Sequence, residues 1–176
     1  MKKIILLIFI PILVIGGIVL FRWLYVVGHH PYDVAMLGDE QTIWASLEIS
    51  PDPIRLTAED DWITAYIEFP ESKDFPEADV TKIDINSVKL DVYLKKGTVP
   101  AENSPEYDFV TDPAIYITDH DGDGELERMV KFRLTKAQDI LYIGNGIPIE
   151  VTGSLDDGTS FYGLDIVKAR GRFWLF

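Results

Sequence analysis

Ile149-Glu150-Val151-Thr152-Gly153-Ser154-Leu155-Asp156-Asp157-Gly158-Thr159-Ser160-Phe161 is the stretch whose pattern decides the fold. Ile149, Val151, Gly153 and Leu155 recur at period two, as one buried face of a strand requires. Asp156-Asp157-Gly158 supplies the turn, because Asp tolerates and Gly favours the backbone of a tight reversal. Phe161 to Ala169 then returns as the hairpin partner.

Outward from this hairpin the same period recurs. Ile43, Ala45, Leu47 and Ile49 alternate with Trp44, Ser46 and Glu48 until Pro51-Asp52-Pro53, where proline cannot feed a ladder. A second strand is expected at Trp62 to Phe69, with Ile63, Ala65, Ile67 and Phe69 inward and Trp62, Thr64, Tyr66 and Glu68 outward. Val88 to Leu94 reads as a third, stopped by Lys95-Lys96-Gly97; Ala114 to Thr118 and Leu126 to Leu134 are shorter candidates. Thr135 to Leu141 is the one expected helix of this region, with Thr135 as cap and Ala137, Ile140 and Leu141 on one face. About seven short strands separated by turns, without alternating long helices, point to an all-β antiparallel sandwich rather than a parallel sheet.

The other end of the chain has a different solvent. Ile4 to Phe21 is 18 residues without a charge or strongly polar side chain. At about 1.5 Å per residue it makes roughly 27 Å of helix, close to the hydrocarbon core of a bilayer. Pro11 implies a kink, Gly16-Gly17 a flat surface for a neighbouring helix, and Arg22, Trp23 and Tyr25 an interfacial belt. A cleaved secretory signal is the competing reading, but its apolar region is usually only about 7 to 15 residues. A retained anchor through residues 4–27 is therefore expected. Lys2 and Lys3 against Arg22 place its N-terminus in the cytoplasm and the rest of the chain outside. The division expected is 1–28 as anchor, 29–42 as linker, 43–170 as sandwich and 171–176 as an aromatic tail.

Charge follows the same division. Of 176 residues, all 29 Asp and Glu lie after Gly28, against 13 of the 16 Lys and Arg, so that part has a net charge of −16. This excludes a nucleic-acid binder, which needs a basic face and counterion release. It equally disfavours attachment of the body to anionic lipid. With 47% hydrophobic and 12% aromatic residues the acidic part has enough apolar material for its own core. Zero Cys excludes disulfides, thiolate metal sites and cysteine nucleophiles.

Asp119-His120-Asp121-Gly122-Asp123-Gly124-Glu125-Leu126-Glu127 is the most specific local motif. Carboxylates at every second residue converge when a chain wraps into a loop, and hard oxygen donors suit Ca²⁺. In an EF-hand register Asp119, Asp121 and Asp123 are direct ligands, Glu125 offers its carbonyl, and Glu127 ligates directly or through water. Val130 occupies the position of the bidentate Glu, so the full pattern fails. The competing reading is a solvated turn holding no ion.

The strands and this loop together resemble a β-sandwich module of bacterial and archaeal exported proteins. Leu47-Glu48-Ile49-Ser50-Pro51, Trp62 to Pro70, Ile83 to Leu90, Asp119 to Gly124, Met129-Val130-Lys131-Phe132 and Val151 to Asp165 carry the resemblance in order. It implies an immunoglobulin-like fold used as a structural or adhesive spacer without catalysis. The sequence departs from it in three ways: the module stands alone behind an anchor, the acids after the loop fall at Glu125 and Glu127, and the aromatic ending extends past it.

No GxSxG elbow, HExxH helix or phosphate loop is present, and among 29 acids no catalytic pair stands out. Lys168, Arg170 and Arg172 alternate just before Phe173, Trp174, Leu175 and Phe176. That end can complete the core, anchor a partner or return to the membrane interface. With Trp23 in the belt, Arg170, Arg172, Phe173, Trp174 and Phe176 form the expected partner surface. The reading that unites these features is a non-catalytic accessory subunit, bracing other integral membrane subunits of a respiratory or photosynthetic type of complex. A Ca²⁺-stiffened cell-envelope spacer or adhesin is the alternative, and an envelope hydrolase a third.

Overall fold

The computed structural model describes residues 42–57, 62–71, 75–93 and 95–171. These belong to one unit, Gln41–Phe176. The expected anchor, with Trp23, the expected linker up to Gln41, and the residues Arg172, Phe173, Trp174 and Phe176 lie outside the described residues, while Thr42, expected as the linker's last residue, opens the first strand. Among the described residues no helix is long and apolar enough to cross a membrane.

The domain is mostly β, built from one curled sheet. Among the described residues nine strands form it: β1 (Thr42–Ser50), β2 (Ile54–Arg55), β3 (Trp62–Glu68), β4 (Lys89–Val92), β5 (Thr98–Pro100), β6 (Ile117–Thr118), β7 (Glu127–Arg133), β8 (Gly144–Ser154) and β9 (Ser160–Arg170). Their order is β5-β4-β8-β9-β1-β3-β7-β6, with β2 beside β9.

The deciding hairpin is β8–β9, antiparallel from Ser154↔Ser160 to Gly144↔Ala169. Its turn closes by Leu155 N–H to Thr159 O and Gly158 N–H to Leu155 O, both 2.9 Å. Gly158 has a φ of 88°, which explains glycine there. The Asp157 carboxylate accepts from Thr159 N–H at 2.8 Å. Ile147, Ile149 and Val151 of β8 are fully buried, as are Val167 and Ala169 of β9. Gly153 holds an inward position because the Phe161 ring fills it: a Cβ there would lie 2.7 Å from that ring.

β1 makes the sheet curl. Its first half pairs with β9, Thr42↔Ser160 to Ala45↔Gly163, and its second half with β3, Ser46↔Glu68 to Ser50↔Thr64. Gly163 lets the strands come close at the crossover, where an added Cβ would meet the Leu47 Cβ at 3.0 Å. Beyond it the two strands part and their ladder ends. Carboxylates then take over part of the hydrogen bonding. Ile49 N–H donates to Asp165 Oδ2 at 2.8 Å, and Lys168 N–H to Asp52 Oδ1 at 2.9 Å.

The β1–β9 and β2–β9 pairings are parallel, which corrects the expectation of uniformly antiparallel strands. Period-two alternation is the same in either direction, so the direction was not readable from it.

The inward faces share one core that includes Ile43, Ile63, Ile67, Phe132, Ile149 and Phe161. Two further expectations change. Ala114 to Thr118 is strand only at Ile117–Thr118, because Asp112 caps Ala114 N–H at 2.9 Å and Pro113 starts a helical turn, α2 (Pro113–Tyr116), just after α1 (Asp108–Thr111). The later helix, α3 (Leu134–Ala137), follows β7 directly and starts before Thr135, which is not its cap. Ala137, Ile140 and Leu141 are buried as expected.

Candidate functional site

The outward face of β3 carries Trp62, Thr64, Tyr66 and Glu68, and none of them is fully exposed. The reason is the segment from Glu102 to Leu126, which packs against the outer side of β3 and β7. Apart from the short β6–β7 pairing and the bond from Glu102 N–H to Lys131 O at 2.8 Å, its attachment is aromatic and ionic, since neither α1 nor α2 buries a residue.

Arg133 organises one end. In register with Trp62, its guanidinium lies 4.1 Å from the Trp62 ring centroid, donates from Nε to Glu102 Oε2 at 2.9 Å, and from Nη2 to Tyr107 Oη at 2.5 Å. Tyr107 and Phe109 meet Trp62 edge to face at 5.3 and 5.1 Å. Burial alone would raise the Glu102 carboxyl, but the hydrogen bonds from Arg133 and Ser104 outweigh it and leave it below its ordinary 4.5.

The acidic loop forms the other end. Its turns are wound by its own carboxylates: Asp119 Oδ1 accepts from Gly122 N–H at 2.8 Å, Asp121 Oδ1 from Asp123 N–H at 3.1 Å, and Asp123 Oδ1 from Glu125 N–H at 2.8 Å. Gly122 and Gly124 have φ of 82° and 100°. His120 stacks on Tyr66, ring centroids 3.6 Å apart, while its backbone N–H donates to Glu127 Oε2 at 2.5 Å. Burial, then the charges of Glu48 and Glu127, raise the Tyr66 hydroxyl above its ordinary 10.0.

Only part of the expected ligand set converges. Carboxylate oxygens of Asp121, Asp123 and Glu68 all lie within 4.8 Å of one another. Two oxygens sharing one Ca²⁺ at about 2.3–2.6 Å are at most about 5 Å apart, so these three fit one hard cation. Asp119, Glu125 and Glu127 are not in that group; Glu127, only 5% exposed, holds the backbone N–H of His120.

Glu68 is the residue that local reading missed. Ile67 pairs with Arg128 across the sheet, which sets the end of β3 beside the loop. Its outward position was legible, but its neighbour depends on a pairing some 60 residues distant in sequence. Burial first, then Asp123 and Asp121 with Glu127 and Glu125 behind them, hold the Glu68 carboxyl above its ordinary 4.5. A cation there would relieve that repulsion.

Beside the loop, Arg128 is 5% exposed, and its Nε has no hydrogen-bond acceptor. Its guanidinium lies 3.4 Å from the Tyr116 ring centroid, so a π face stands where an anion would.

Of the expected partner residues, Arg170 is described. It ends β9, exposed, with Nη2 donating to Asn145 Oδ1 at 2.8 Å. No protein-family model matches the chain, no curated protein matches it, and no solved structure matches it.

Proposed function

We propose that the chain is a non-catalytic, single-pass membrane protein whose extracytoplasmic domain, an immunoglobulin-like sandwich, is a structural and interaction module. In this reading it is an accessory subunit: the apolar segment docks against other integral membrane subunits, and the acidic domain braces their exposed faces. A respiratory or photosynthetic type of complex is a suitable host. The observation that carries the reading is the joining of an 18-residue apolar run, Ile4 to Phe21, to an acidic β domain with a core of its own.

Purification in a mild detergent tests it directly. Partners at fixed stoichiometry are expected, and a clean monomer under those conditions overturns the reading.

One observation favours a second reading, a Ca²⁺-stiffened cell-envelope spacer or adhesin. Glu68, Asp121 and Asp123 converge at a spacing that suits one cation. With a ligand set short of the EF-hand pattern, binding is weak. Millimolar Ca²⁺ raises the melting temperature in this reading, and Asp121→Ala abolishes the rise. An unchanged melting temperature in the parent chain contradicts it.

A further inference from the structure

In a chain with 29 acids, two arginines stand side by side without an ion-paired carboxylate among the described residues. Arg55 of β2 and Arg170 of β9 are in parallel register, both exposed, on the face opposite the buried pair Ile54 and Ala169. Parallel register directs both side chains to the same face, and like charges there repel. Arg170 donates only to neutral oxygens, Asn145 Oδ1 at 2.8 Å, Gly144 O at 3.3 Å and Ala169 O at 3.5 Å. Arg55 has no hydrogen bond or ion pair among the described residues. Lys168, the next outward cation on β9, takes the nearby carboxylate instead, its Nζ 3.8 Å from Asp52 Oδ2.

Arg55 also lines a cavity of about 320 Å³, with Pro51, Asp52, Pro53, Ile54, Trp62 and Leu134. That volume is at the small end of ligand pockets. Its lining is apolar at Pro51, Pro53, Ile54, Trp62 and Leu134; Arg55 stands at one side, and the Asp52 carboxylate is already engaged by Lys168 through its backbone N–H and Nζ.

We propose that this corner is a docking site for an acidic segment of a protein partner: Arg55 and Arg170 receive a carboxylate, and the cavity takes the apolar side chain beside it. Guanidinium groups suit carboxylates because their donors form a planar fork. Two features favour a protein over an anionic membrane surface. The cavity is concave and of side-chain size, and the net charge of the chain, −13, repels an anionic bilayer. The site rests on the interaction-module reading and names the chemistry of the partner.

The probe is N-acetyl-L-phenylalanine, which joins a carboxylate to an apolar ring, titrated into the full chain in nonionic detergent. The readout is the ¹⁵N-indole resonance of Trp62, assigned by Trp62→Phe. A saturable shift with a millimolar Kd is expected, at least fivefold weaker for N-acetyl-L-phenylalaninamide and for Arg55→Gln/Arg170→Gln. The double Lys variant, Arg55→Lys/Arg170→Lys, is expected to keep most of the affinity and so to separate charge from a folding defect. No saturable shift, or equal binding of the amide, overturns the site. So does an inorganic phosphate response that exceeds the carboxylate response, since that is the signature of a lipid headgroup. Partners that co-purify unchanged with Arg55→Gln/Arg170→Gln overturn the site and leave the module reading standing. A wild-type chain without partners overturns the module reading, and the titration then decides the site by itself.

Discussion

The β8–β9 hairpin and the segment from Glu102 to Leu126 are held by different forces. The hairpin buries Ile147, Ile149, Val151, Val167 and Ala169 in the common core. The segment joins the sheet only through the two-residue strand β6 at its edge; the rest is held by an arginine fork, ring contacts and a His–Tyr stack, with no buried residue in either of its helical turns. Burial scales with apolar area and resists local opening, whereas exposed polar and aromatic contacts are worth little singly. The hairpin is the scaffold, and the segment is the part whose order depends on a few contacts and on charge.

The contrast predicts a ranking of substitutions. Phe132→Ala, which empties a fully buried position of the core, is expected to cost about 3–5 kcal/mol in denaturant unfolding. A loss under 1 kcal/mol would place the stability elsewhere. Asp165→Ala removes the acceptor of Ile49 N–H where β1 leaves β9, at an expected cost of about 1–2 kcal/mol. Hydrogen exchange should locate the loosening in the second half of β1.

Tyr107→Leu strips the outer segment of its bond from Arg133 and its contact with Trp62, at an expected cost of about 1 kcal/mol. Exchange protection should fall from Glu102 to Tyr116 and stay unchanged in β8 and β9. Equal loosening of both regions would erase the distinction between scaffold and attached segment.

The smallest effect is electrostatic. Glu68 has a folded-state pKa above its ordinary 4.5, so the folded chain binds more protons than the unfolded chain between those values. Its contribution is therefore destabilising at neutral pH, and the penalty fades as the pH falls through the raised pKa toward 4.5. Glu68→Gln should flatten that part of the stability profile and raise the melting temperature slightly at pH 7. A fall at pH 7 would show that the Glu68 carboxylate is already compensated.

The same contrast explains what could be read in advance. β8, β9, β3 and the inward face of β1 follow from alternation, which is local, and Gly158 marks its turn through its backbone alone. The direction of the β1–β9 pairing does not follow, because Ile43 and Phe161 alternate identically in either direction. Pro113 and Asp112 carried the signal for α2, but Ala114 to Thr118 is also apolar enough to read as strand. The candidate site was half legible: Asp121 and Asp123 are in the motif, while Glu68 joins them through the pairing of β3 with β7. The cationic corner divides the same way, Arg170 by its place before the aromatic end and Arg55 only by its register in the sheet.

Site-specific photo-crosslinking in intact membranes tests the central claim of an accessory module most directly, with the reactive group placed at Trp23 or at Arg170. The account predicts protein adducts of discrete mass at both positions, in fixed ratio to the chain. Lipid adducts alone at Trp23, together with none at Arg170, would contradict it.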